Sequence, residues 1–122
     1  MNNTEVVNNT SKYIVKTTGI GSETNQELVD AEKLAEGTDG SKVSLIECYY
    51  LIEGTGTLTI SAASETETQA AGKTVAKPLS LTGKGKYGLR PNQLKYGNDK
   101  IIKLTTDSNV KSYLLVTEFR RN

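Results

Sequence analysis

The stretch that most limits what this chain can become is Val43 to Ile60, VSLIECYYLIEGTGTLTI. Its first arm places Ile46, Cys48, Tyr50 and Ile52 on one side at period two. Val43, Leu45, Tyr49 and Leu51 fall on the other side, together with Glu47 and Glu53. Successive side chains of an extended chain point to opposite sides, so the arm reads as a strand that is apolar on both faces. Such a strand belongs in the middle of a sheet covered on both sides, or has its outer face buried by a partner subunit. Gly54-Thr55-Gly56 follows, and glycine permits the positive φ angles of a short reversal. The second arm alternates cleanly, with Leu58, Ile60 and Ala62 to one side and Thr57, Thr59 and Ser61 to the other. Branched and aromatic residues dominate both arms, as strands prefer. The stretch predicts a β-hairpin.

With 122 residues the chain is long enough for one domain and one core. Hydrophobic residues make up 35% and aromatics 6%, so that core is modest. Eleven glycines among many Thr and Ser suit an all-β domain with frequent turns. The net charge of +1 exerts no global pull on nucleic acid. Cys48 is the only cysteine and histidine is absent, so no disulfide can close within the chain. The usual zinc ligand sets and the usual general base are missing too. Cys48, on the inward side of a strand, is expected to be a small buried hydrophobe. Glu65 and Glu67 lie in a polar stretch with nothing to shift their titration. These features predict no metal, no cofactor and no catalytic residues: the chain is not expected to be an enzyme. No apolar run approaches the length of a membrane span. MNNTEVVNNT lacks the basic start and apolar centre of a secretion signal, so synthesis in a cytoplasm is expected, with retention there unless assembly carries the protein elsewhere.

Residues 1–11 are rich in Asn and Thr, with only Val6 and Val7 to bury. They are expected as a flexible arm, mobile or ordered on a neighbouring subunit; residues 12–122 form the single β-sandwich domain. Lys12 to Thr18 reads as a strand ended by Gly19 and Gly21. Residues 24–36 carry two signals. Thr24 with Glu27 spells a helix-capping box, and Leu28, Ala31 and Ala35 recur at near-helical spacing. Glu27 to Ala31 equally fits a short strand. Ala63 to Lys73 reads as solvated surface, a loop or a flexible strand extension. Thr74 to Leu81 reads as a strand at an edge or with a break, because Pro78 lacks a ladder donor.

Thr82 to Lys100, TGKGKYGLRPNQLKYGNDK, interleaves Lys84, Lys86, Arg90 and Lys95 with Tyr87 and Tyr96. Its glycines and Pro91 predict a long loop, which reads as a solvated loop with its tyrosines lying on the sandwich, as a phosphate or nucleic-acid contact, or as a docking loop. Tyrosine and arginine are residue types that anchor interfaces, so Tyr87, Arg90 and Tyr96, with Val6 and Val7 of the arm, are the candidate partner-binding residues. Lys100 to Thr106 and Val110 to Phe119 predict a second hairpin across Asp107-Ser108-Asn109. The last strand is again apolar on both faces and is expected beside the Val43 strand. Arg120 and Arg121 read as a solvated basic tip. Together these signals predict an all-β fold, a β-sandwich or jelly-roll-like domain of six to eight mostly antiparallel strands.

The order of KYIVKTTGIGSETNQELVDAEKL, VSLIECYYLIEGTGTLTIS, KIIKLTT and SYLLVTEFR resembles small virion proteins of tailed phages, particularly those of marine and freshwater bacteria. The resemblance covers most of residues 12–119. It implies a capsid decoration, or cement, protein on the exterior of the virion. Such a protein would bind the major capsid protein and bridge its subunits, without nucleic acid or membrane as partner; self-association stays open. It also favours a strand at Glu27 to Ala31. Two alternatives remain at this level: an adaptor associated with the tail, neck or fibre, and a carbohydrate-binding β-sandwich module, which the absence of Trp disfavours.

Overall fold

A computed structural model describes residues 1–88 and 95–122. They form an all-β, sandwich-like fold of two sheets and a small ribbon. Twelve strands run through the described residues, more than the six to eight expected, because several are only three to five residues long. In chain order they are β1 (Asn2–Asn8), β2 (Lys12–Ile20), β3 (Gln26–Asp30), β4 (Val43–Gly54), β5 (Leu58–Ala62) and β6 (Thr66–Thr68). Then come β7 (Thr74–Ala76), β8 (Leu79–Leu81), β9 (Lys84–Gly88), β10 (Tyr96–Asp99), β11 (Ile101–Thr106) and β12 (Val110–Arg121).

The six-stranded sheet runs β1-β2-β12-β4, and β9 and β10 both pair with the far side of β4. The four-stranded sheet runs β3-β11-β5-β8, and β6 with β7 makes a separate ribbon. Every pairing is antiparallel. As expected, β12 lies beside β4 at the centre of its sheet. The core fills the space between sheets: Val15, Leu45, Cys48, Leu115 and Phe119 from one side meet Leu28, Leu58, Ile60, Ile102 and Leu104 from the other, all essentially inaccessible to water. Rings of Tyr13 and Phe119 stack within it, centroids 6.2 Å apart.

Both expected hairpins are corners instead. β4 and β5 belong to different sheets, and so do β11 and β12. Each three-residue link carries the chain across the sandwich, a spacing of about 10 Å that such a link can just cover. The two corners interlock. The Asp107 carboxylate accepts from the Thr57 N–H (2.9 Å) and from the Asn109 N–H (2.9 Å). A Cβ on Gly54 would collide with the Asn109 carbonyl, and one on Gly56 with the Asp107 carboxylate. The glycines serve this close approach between corners rather than a hairpin loop.

Residues 24–36 settle as strand, then turn. β3 pairs with β11, Ile102 opposite Val29, and a single 3-10 turn follows at Ala31–Lys33, capped by Asp30 accepting from the Glu32 N–H (3.1 Å). Adjacent Leu28 and Val29 are both buried because Leu28 is an extra residue in the register with β11. Burial of that pair outweighs the local capping signal. The expected break at Pro78 is present, separating β7 from edge strand β8.

Three other segments differ from expectation. Residues 1–11, read as a flexible arm, run largely as edge strand β1 on β2, from Asn2 opposite Thr18 to Asn8 opposite Tyr13. Thr82 to Lys100, read as one loop, contains β9 and β10. Arg121 is no solvated tip: its guanidinium donates to the carbonyls of Asn9 (2.6 Å) and Ala35 (2.5 Å), tying two loops to the end of β12.

Candidate interaction surface

β4 shows how one strand can be apolar on both faces. Its register against β12 slips by one residue, from Glu47 opposite Glu118 to Leu45 opposite Phe119, leaving Ile46 as a bulge. An extra residue switches the side to which the alternation points. Val43 and Leu45 therefore face the core together with Cys48 and Ile52, although their sequence parity differs. Beyond the bulge, Glu47, Tyr49, Leu51 and Glu53 face outward, with Tyr49 51% and Leu51 42% exposed.

The registers of the neighbouring strands assemble these residues into rows across the outer face of the six-stranded sheet. One row reads Asn2, Thr18, Leu114, Leu51, Lys84; the next reads Thr4, Lys16, Val116, Tyr49, Lys86; a third reads Val7, Ile14, Glu118, Glu47, Gly88. Side chains directly across a pair lie about 5 Å apart and touch. Leu114, Leu51, Val116, Tyr49 and Ile14 thus form an unbroken apolar centre, with lysines at its flanks and two glutamates at one end. Two adjoining hollows dent this centre. A hollow of about 280 Å³ lies among Tyr49, Leu51, Leu114, Val116 and Lys84, and one of about 160 Å³ among Ile14, Glu47, Tyr49, Val116 and Glu118.

Electrostatics on the face are local. Lys86 Nζ lies 2.8 Å from a Glu47 carboxylate oxygen and 5.2 Å from the centre of the Tyr49 ring. Hydrogen bonding to Lys86 holds the Glu47 carboxyl below its usual range, and the same pairing raises the Lys86 ammonium. The pair pins the Tyr49 ring at one edge of the patch.

The candidate residues read from the sequence are not gathered in one place. Tyr96 is buried, 5% exposed, with its hydroxyl within reach of the carbonyls of Ile60 (3.0 Å) and Lys77 (2.9 Å). It is a core residue that joins β10 to the opposite sheet and cannot meet a partner; burial raises its phenol's pKa. Tyr87, opposite Cys48, faces inward and is half-buried, its pKa raised chiefly by burial. Arg90 lies outside the described residues. Val7 stands opposite Ile14 at the margin of the apolar face, and Val6, at a bulge in β1, is 61% exposed. Of the four that lie among the described residues, the arm valines alone border the new surface.

Sequence reasoning missed Tyr49, Leu51, Leu114 and Val116 as site residues. Their signal was present in the double-sided apolar character of β4 and β12. Cys48 is buried where it was expected, and burial pushes its thiol up to about 12, far from nucleophilic at neutral pH. Among the described residues no group of three or more Cys, Asp or Glu side chains is placed to hold a metal ion, and no helix is long and apolar enough to cross a membrane. No family model, curated protein or solved structure matches the chain.

Proposed function

We propose that this protein is a capsid decoration, or cement, component of a tailed-phage virion, attached through the outer face of its six-stranded sheet. The virion assignment rests on the sequence resemblance. The attachment surface rests on one observation: five apolar side chains contiguous at the centre of a wide sheet, with no element among the described residues over them.

Size narrows how the face would work. Strand spacing of about 4.8 Å and same-face spacing of about 6.8 Å give the patch, with its rim, an area on the order of 400 Å². Two such patches together would bury about 800 Å², under the roughly 1,200 Å² of a stable complex. At about 25 cal/mol per Å² the apolar share of that contact contributes on the order of 10 kcal/mol. Association costs of about 4–15 kcal/mol cancel most of it. A single contact is therefore weak. On a repeating lattice, neighbouring copies and bridged subunits raise the effective concentration, and weak contacts become tight attachment. A stiff sheet suits this use because its rows are fixed before docking.

The test is to mix purified protein with undecorated heads of the phage that encodes it. Wild-type protein is expected to saturate the shells and raise their melting temperature, and Leu51→Asp to bind at least ten-fold more weakly. Shells that ignore the wild-type protein would remove the decoration reading. Leu51→Asp at wild-type occupancy would remove this face from it.

A further inference from the structure

We infer that the open edge of β1 pairs with β1 of a second copy, antiparallel about a two-fold axis that sets Thr4 opposite Thr4. This contact uses a sheet edge rather than the apolar face, and it stands independently of the virion reading.

An edge strand offers unpaired N–H and C=O groups to any other strand, and proteins blunt it with shortness, Lys, Pro or bulges. Four of the edge strands here are blunted in these ways. β8 is three residues long and follows Pro78. β3 has five residues, broken by the extra Leu28, and carries Glu27 and Asp30. β9 carries Lys84 and Lys86, and β10 has four residues with a break in register. β1 is different: seven residues without Lys, Arg or Pro, exposed from Asn2 to Val6. Its bulge comes late, so the register with β2 is unbroken from Asn2 opposite Thr18 to Glu5 opposite Val15. Alternate residues of that run turn their N–H and C=O groups away from β2. Among the described residues no other backbone takes them up.

The sequence of β1 selects a second copy and its register. Across a two-fold axis the same alternate residues point outward in both copies, so the axis passes through a single residue pair. An axis at Glu5 would set two carboxylates side by side, which is destabilising, and would run the pairing across the bulge to Asn8. An axis at Asn3 would leave Glu5 beyond the start of the partner strand. An axis at Thr4 pairs Asn2 with Val6, Thr4 with Thr4, and Asn3 with Glu5 twice. Threonine opposite threonine is a favourable cross-strand pair. Asn3 is prepared for Glu5 of the other copy: its side-chain oxygen accepts from the Thr17 hydroxyl (2.7 Å), which leaves its NH2 to donate. Among the described residues the Glu5 carboxylate accepts one long bond, from the Asn8 amide (3.4 Å). A hydrogen bond to a carboxylate is among the stronger kinds, and the two-fold makes it twice.

The test is disulfide trapping in the full chain, with Thr4→Cys, Asn2→Cys and Lys103→Cys oxidised in a glutathione buffer and dimers read on a non-reducing gel. Cys48 is buried, its thiol pushed up to about 12, and stays silent. In the inferred register the two Thr4 Cα atoms lie about 4.5–5.5 Å apart, within disulfide reach. The two Asn2 Cα atoms lie about 14 Å apart along the strands, beyond it. Thr4→Cys is expected to dimerise at least ten-fold faster than Asn2→Cys or Lys103→Cys. Adding Asn3→Asp, which keeps the acceptor for Thr17 but turns a carboxylate toward Glu5 of the other copy, is expected to slow trapping at least five-fold. Adding Glu5→Gln to that pair is expected to restore it. Thr4→Cys no faster than Lys103→Cys overturns self-pairing, and the edge then falls to a strand of another protein. Faster trapping at Asn2→Cys, or indifference to Asn3→Asp, overturns the register and with it the argument for a second copy.

Discussion

The two outer faces of the sandwich are built from similar strands and differ in what they offer to water. On the four-stranded sheet the rows read Glu27, Lys103, Ser61 and then Thr105, Thr59, Ser80. Along these rows inward Leu and Ile alternate with outward polar groups, as in an ordinary solvated face, with Ile101 the apolar exception at one end. On the six-stranded sheet the same alternation yields Leu51, Leu114, Tyr49 and Val116 on the outside. Sheet formation does not require this, since the opposite face manages with Thr and Ser. A partner surface is the account of the apolar centre proposed above.

The largest effect should separate the two sides of one strand. Leu115 is fully buried and Leu114, its neighbour in sequence, faces out. Leu115→Ala is expected to cost about 2–5 kcal/mol in chemical denaturation, and Leu114→Ala well under half as much. Equal losses would mean that the outer side of β12 is covered by the chain itself. The interlocked corners should rank next. Asp107→Ala removes the acceptor of two backbone N–H groups, with an expected loss of about 1–3 kcal/mol by the same measurement.

Legibility in the sequence follows the same division. Alternation disclosed the strands with apolar inward faces but not β1, β9 and β10, and the double-sided apolar pattern correctly set β4 beside β12. Turn residues disclosed where the chain reverses, but not whether a strand returns to its own sheet or crosses to the other. Gly54 to Gly56 and Asp107 to Asn109 satisfy either geometry, and only the packing of one corner on the other decides. The site was half legible. Tyr and Arg content drew attention to residues 82–100, yet Tyr96 is a core residue because its ring and hydroxyl both find partners inside. The bulge at Ile46 hid which apolar residues of β4 were left over, since it exchanges faces midway along the strand.

Alkaline pH should then act chiefly through the core side. Burial raises the Cys48 thiol from 9.0 to about 12, and burial also raises the phenols of Tyr13, Tyr87, Tyr96 and Tyr113. A group held protonated by folding stabilises fully below its unfolded pKa and loses that contribution as pH climbs toward the folded value. Tm is therefore expected to fall progressively above about pH 9, first through the thiol and then through the phenols. In Cys48→Ala, whose starting Tm will be lower, the decline is expected to begin nearer pH 10; an onset unmoved by the substitution would assign it to the tyrosines alone. The smallest effect belongs to the polar face. Thr59→Ala should shift stability by no more than about 0.5 kcal/mol and leave shell attachment unchanged.

The most direct test of the docking face compares lysine reactivity in the free protein and on the decorated shell. Lys16 and Lys84 frame the apolar centre, and Lys103 sits on the opposite outer face. Brief acylation followed by mass spectrometry is expected to show Lys16 and Lys84 slowed at least ten-fold on the particle, with Lys103 as reactive as in solution. Undiminished labelling of Lys16 and Lys84, or protection of Lys103 in their place, would contradict the assignment of the six-stranded sheet as the surface that binds.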